Sequence, residues 1–198
     1  MALSKQLGLE LLRQQIEESC AVKQSFSSEL LEGIWELAER TVNTHREGKK
    51  VLLMGNGGSA ADAQHIAAEL VGKFRLQRKP LAAIALTTNT SVITAIANDF
   101  DYKEIFVRQV EALAQANDVA IVITTSGRSP NVIRAAQSAR AKGCYTVAWT
   151  GKSGGALVGC VDLLLAVPSE DTQRIQESHS LLGHMYCELV ERILFGEE

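Results

Sequence analysis

Five short apolar runs alternate with helical stretches along this chain, and nothing else limits its fold so strongly. Residues 51–54, 82–86, 119–123, 145–149 and 163–167 are largely continuous apolar blocks, without the in–out alternation of a half-exposed strand. Such blocks are buried on both faces, as in a parallel sheet covered by helices on each side. Helical patterns separate them. One spans residues 59–70, one runs through Ile96, and others cover 107–114, 131–142 and 173–194. Strands alternating with helices predict an α/β fold of three αβα layers with a five-stranded parallel sheet.

The first 48 residues read differently. Leu9, Leu12 and Ile16 recur at helical spacing, as do Leu30, Leu31, Ile34 and Leu37. They predict two helices, the second starting at Ser28, that add a packing layer. No linker and no repeat of fixed period divides the 198 residues, so one domain over 1–198 is expected.

Composition removes several function classes. A net charge of −3 leaves no basic footprint for nucleic acid. No run reaches the roughly 18 to 20 apolar residues of a membrane span. Residues 1–15 mix charges with leucines and lack the apolar block of a secretory signal, which points to the cytoplasm. Cys20, Cys144, Cys160 and Cys187 show no C-x-x-C pairing and read as reduced thiols.

In a parallel α/β sheet, ligands bind at the C-terminal ends of the strands. Here those ends carry turns rich in Gly, Ser and Thr. Thr124, Thr125, Ser126 and Ser129 supply four hydroxyls within six residues, and Pro130 opens a helix behind them. Proline suits the first helical position, and serine suits the N-cap. A helix N-terminus with hydroxyl donors holds a phosphate monoester without lysines. The plainer reading is a capped helix with a polar loop. That loop, however, has more hydroxyls than capping needs.

Two tempting motifs fail. Gly55-x-Gly57-x-x-Ala60 loosely matches a dinucleotide fingerprint, but the next strand ends in Thr87-Thr88, with no acidic residue for a ribose. Gly151-Lys152-Ser153 looks like part of a P-loop, yet the glycine required five places earlier is Thr146. No nucleotide cofactor is expected.

His65 and Glu69 stand four apart on one helical face. Gln176 and His184 lie eight apart on the last helix and project to similar sides. Two imidazoles, a carboxylate and an amide could converge on a divalent metal, and that donor set suits zinc. Alternatively, Glu69 is a general base and His184 a general acid. Blander readings stand beside both: His65 as a surface residue of an alanine-rich helix, His184 as a satisfied core histidine. Asp99, after Asn98, is either a sugar-hydroxyl ligand or an ordinary turn residue. Tyr145 and Trp149 share a strand face and read as core.

The pieces Gly55-Asn56-Gly57-Gly58-Ser59, His65-x-x-x-Glu69, Asn98-Asp99-Phe100, Thr125-Ser126-Gly127-x-Ser129, Arg174-Ile175-Gln176-Glu177 and His184 appear in order along the whole chain. Together they resemble the sugar isomerase (SIS) domain family, and within it the phosphoheptose isomerases. The resemblance implies a flavodoxin-like, doubly wound sheet. It implies aldose–ketose isomerisation of sedoheptulose 7-phosphate to D-glycero-D-manno-heptose 7-phosphate, the first step toward the activated heptose of lipopolysaccharide. It also implies a homotetramer with sites at subunit contacts, the helices of residues 1–48 serving its assembly. By the same resemblance zinc is held by His65, Glu69, Gln176 and His184. Catalysis falls to Glu69 and His184. Substrate contacts fall to Asn56, Gly57, Gly58, Ser59, Glu69, Asn98, Asp99, Thr124, Thr125, Ser126, Ser129 and Gln176. Thr124 replaces the serine of some members and keeps the hydroxyl.

Two alternatives remain within that family. One is an isomerase of another sugar phosphate. The other is a non-enzymatic regulator that binds the bacterial replication initiator DnaA. That branch lacks the glutamate and histidine held here by Glu69 and His184, so the enzyme is favoured.

Overall fold

The computed structural model describes residues 3–196. Five strands form one wholly parallel sheet: β1 (Val51–Gly55), β2 (Ala83–Ala85), β3 (Val119–Ile123), β4 (Tyr145–Gly151) and β5 (Leu163–Val167). Their order is β2-β1-β3-β4-β5, the doubly wound arrangement expected. The chain leaves β1 toward β2 on one side and returns to β3 on the other, so their C-terminal ends bound a crevice. In register, Gly55 lies opposite Ile123 there.

Seven helices flank the sheet among the described residues: α1 (Lys5–Gln24), α2 (Ser28–Arg46), α3 (Gly58–Val71), α4 (Thr90–Asp99), α5 (Val107–Leu113), α6 (Pro130–Ala141) and α7 (Thr172–Phe195). Strand residues alternate between two cores, as the period of two demands. Leu53, Ile121 and Trp149 face Leu37, Ile66, Leu182 and Tyr186 from α2, α3 and α7. Met54, Val122 and Ala148 face Phe106, Val110, Val132 and Ala136 on the opposite side. Every residue of β1 and β3 is buried, which is why both read as unbroken apolar runs.

Several boundaries differ from the sequence reading. α2 is capped by Ser27, whose hydroxyl accepts from Leu30 N, and Ser28 is already helical. β2 is three residues long, Ala83–Ala85, although Ala82 O accepts from Val51 N and Leu86 N donates to Leu53 O, both at 2.9 Å, at its two ends. α4 continues through Asp99. Trp149 is core, but Tyr145 is half-buried and its hydroxyl donates to Glu36 at 2.5 Å. The two N-terminal helices also part company. α2 buries Leu30, Ile34, Leu37, Ala38 and Val42, each worth about 1–3 kcal/mol of transfer free energy. α1 buries none of its residues, and Leu7, Leu12 and Ile16 stay exposed.

Candidate active site

The candidate residues sit in the turns after β1 and β3 and on α3, α4 and α7. The turn after β1 carries Asn56, Gly57, Gly58 and Ser59. Asn56 is locked by its amide: its Nδ2 donates to Asn131 Oδ1 at 2.9 Å, and Asn131 Nδ2 donates back to Asn56 Oδ1 at 2.9 Å. Tyr102, on a 3-10 turn after α4, adds its hydroxyl to Asn56 Oδ1 at 3.1 Å. Gly57 has a positive φ of 56°, natural for glycine, and is exposed. Ser59 is buried within α3.

The turn after β3 supplies the hydroxyls. Thr124 is buried and its Oγ1 stands 3.3 Å from Ser129 Oγ. Thr125 is half-buried, and exposed Ser126 accepts from Arg128 N at 3.2 Å. Ser129 occupies the N-cap of α6 with Pro130 behind it, as read. Its side chain bonds none of the helix's own amides, so the hydroxyl remains directed at Thr124. The reciprocal pair of Asn56 with Asn131 ties this turn to the one after β1.

The third group joins α3 to α7. Gly183 makes the join possible: a Cβ there would come within 2.9 Å of Ile66, so only glycine lets the two helices approach so closely. His184, the next residue, meets His65. The two rings lie 5.0 Å apart, edge to face, with their Nε2 atoms 3.5 Å apart. His65 Nε2 also lies 3.1 Å from Glu69 Oε1. Gln176 sits two turns up α7 with its amide over Gly58, where a Cβ would come within 2.5 Å of Nε2.

These distances test the fit of a metal. His65, Glu69 and His184 each offer one donor atom, and these atoms all lie within 4.8 Å of one another. His65 Nε2 faces both Glu69 and His184, yet one ring nitrogen cannot donate to the first while accepting from the second. Two imidazole nitrogens and a carboxylate oxygen this close suit a cation better than a shared proton. Ligands at about 2.1 Å from a tetrahedral zinc stand roughly 3.4 Å apart, close to the 3.1 and 3.5 Å that separate His65 Nε2 from Glu69 and His184. The group can hold a metal ion. Beside it, Ser180 donates to Asp62 Oδ1 at 2.8 Å. Burial pushes the Asp62 carboxyl up, and Ser180 and His65 offset part of that.

Asn98 and Asp99 are exposed at the end of α4. Asn98 Nδ2 donates to Asp99 Oδ1 at 2.8 Å, and neither side chain bonds another candidate residue. Asn131, Tyr102 and Asp62 escaped the sequence reading. Asn131 had one available signal, its place beside Pro130 at a helix start. The other two had none.

A family model described as SIS domain matches residues 14–151. The phosphoheptose isomerase of Thermodesulfovibrio yellowstonii is 53% identical over 184 residues, 93% of this chain and 92% of that protein. That of Roseiflexus sp. is 55% identical over 183 residues, 92% of this chain and 93% of that protein. Among solved structures, phosphoheptose isomerase GmhA from Neisseria gonorrhoeae superposes with a TM-score of 0.87 at 42% identity, covering 92% of this chain and 98% of that one. A phosphoheptose isomerase from Francisella tularensis gives 0.90 at 37% identity, covering 93% and 98%. A five-stranded doubly wound sheet, a hydroxyl turn, a His-Glu-His group and these likenesses converge: the chain belongs to the SIS domain family and, within it, to the phosphoheptose isomerases, which are aldose–ketose isomerases.

Proposed function

We propose that this chain converts sedoheptulose 7-phosphate to D-glycero-D-manno-heptose 7-phosphate, as a cytoplasmic enzyme at the start of activated heptose synthesis for lipopolysaccharide. The observation that carries the reading is the presence in one chain of two unlike groups: an uncharged hydroxyl turn after β3 and a carboxylate–imidazole cluster between α3 and α7. A DnaA-binding regulator has no need for the second.

Thr124, Thr125, Ser126 and Ser129 hold the phosphate at the N-terminus of α6, where the helix dipole favours an anion. The amide-locked Asn56, with Gly57, Gly58, Ser59, Asn98, Asp99 and Gln176, contacts the sugar chain. The open-chain ketose then extends toward α3 and α7. Glu69 takes the C1 proton, giving an enediol. His184 moves the proton between O1 and O2, and the carbon proton returns at C2 to complete the aldose. Zinc bound by His65, Glu69, Gln176 and His184 would act as a Lewis acid on the carbonyl. The exposed leucines of α1 support assembly with further copies of the chain, with a homotetramer as the expected state and sites at its contacts.

The test is substrate profiling by NMR on zinc-supplied protein. Sedoheptulose 7-phosphate should give the aldose product at a kcat/KM at least about tenfold above other ketose phosphates. Higher activity on another ketose phosphate would shift the assignment to that sugar, and binding without turnover would favour the regulator.

A further inference from the structure

We propose that Phe74 is a positioning residue that holds the His184 imidazole in place, and that a buried Glu191–Arg78 clamp holds Phe74. The inference rests on the reading of His184 as the proton-shuttling group.

A catalytic or metal-binding imidazole is ordinarily oriented by a hydrogen bond on its second nitrogen. His184 lacks one: among the described residues, its ring has a single polar contact, the one with His65 at 3.5 Å. What fixes its plane is aromatic. The Phe74 ring lies against it with centroids 5.5 Å apart and planes 26° from parallel, an offset stack. His65 meets it edge-on from the other helix. The imidazole is thus held between two rings.

Phe74 lies in a loop after α3 that has no regular secondary structure to place it. Glu191, on α7, places it instead. One carboxylate oxygen accepts from Phe74 N at 2.7 Å and from Arg78 Nε at 2.8 Å. The other accepts from Arg75 N at 2.7 Å and Leu76 N at 3.0 Å. Both side chains of the pair are 1% exposed. Burial alone would raise the Glu191 carboxyl, but the three amides and Arg78 hold it below the ordinary value. Arg78 also reaches the end of α3. It donates to Glu69 O at 2.7 Å and Leu70 O at 2.8 Å, occupying carbonyls that a helix end leaves without partners. One ion pair therefore sets the backbone under Glu69 and the ring over His184.

The test combines kinetics with NMR on the full-length, zinc-supplied protein. The sequence has 4 histidines, so ring protons are assignable with labelled histidine. In the unsubstituted protein the His184 ring protons should be shifted upfield by the stacked Phe74. Phe74→Leu should move them downfield and lower kcat about tenfold, with KM within about twofold, because small misplacements of a reacting group cost that much or more. Phe74→Tyr should keep the upfield shift and restore kcat to within about twofold. An unshifted His184 in the unsubstituted protein, an unchanged kcat in Phe74→Leu, or a loss that Phe74→Tyr fails to restore would overturn the proposal. His184→Asn separates the two levels. If it abolishes turnover while Phe74→Leu leaves kcat unchanged, Phe74 has no positioning role. If it leaves turnover intact, the proton-shuttle reading fails and this inference fails with it.

Discussion

The turn after β3 draws its hydroxyls from six consecutive residues, Thr124 to Ser129, whereas the cluster of His65, Glu69 and His184 joins two helices whose histidines are 119 residues apart. The first is a product of local chain geometry: a strand ends, a polar turn follows, and Pro130 starts a helix. The second forms where Gly183 lets α7 approach α3, with Glu191 of α7 holding the loop that follows α3. A binding feature can thus be written in one stretch of sequence. An acid–base cluster needs the whole fold to bring it together. The consequence is an asymmetry: damage to remote packing should disable the cluster well before it disables the turn.

The largest expected effect comes from Glu191→Ala. It leaves Arg78 buried without its anion and three loop amides without an acceptor, which costs about 3–5 kcal/mol of stability. Thermal denaturation should show a large drop in Tm, with kcat falling in whatever folded protein remains. An unchanged Tm would mean the cluster does not depend on the clamp, and would break the comparison.

Next in size is the paired change Thr124→Val with Ser129→Ala, which removes two hydroxyls from the turn. Lost hydrogen bonds to a charged group are worth about 1.5–3 kcal/mol each, so calorimetry should show sedoheptulose 7-phosphate bound at least tenfold more weakly. Tm and kcat at saturation should change little. A kcat loss as large as the affinity loss would show that the two regions are not separable.

A smaller effect separates the regions by pH. His179 lies on α7 between Gln176 and His184. It is buried, its Nε2–H donates to Thr150 O at 3.2 Å, and its Nδ1 has no partner. Burial lowers its pKa from 6.5 to about 4, with the Thr150 carbonyl opposing. A folded pKa below the unfolded one gives stability that is whole above pH 6.5 and is lost as the pH falls toward 4. Between pH 7 and pH 5 the loss is on the order of 2 kcal/mol. His179→Gln, which cannot titrate, should lose less Tm over that interval. An identical pH dependence would contradict the assignment.

The same contrast explains what could be read from the sequence. β1 and β3 were legible as unbroken apolar runs, the pattern that burial on both faces produces, and the edge strands β2 and β5 as apolar runs despite their part-exposed residues. The hydroxyl turn was legible because its residues are adjacent. His65 and Glu69 could be placed on one face by their spacing, and their convergence with His184 was open to reading as one of several alternatives, which the resemblance favoured. The contacts of Asn131 and Glu191 were invisible, because their partners Asn56 and Phe74 are 75 and 117 residues away. α1 was legible in a different way. Its leucines repeat as a buried helix's would, yet they remain exposed, because apolar spacing says that a face wants covering and not what covers it.

The most direct test of a site divided into a binding half and a chemical half is Glu69→Gln, which keeps the shape of the side chain and removes the base. Steady-state kinetics and calorimetric binding of sedoheptulose 7-phosphate should be measured on the same preparation. The account predicts a kcat about a thousandfold lower, within the range of general-base contributions, with affinity changed by less than about tenfold. A kcat within about tenfold of the unsubstituted protein would contradict it.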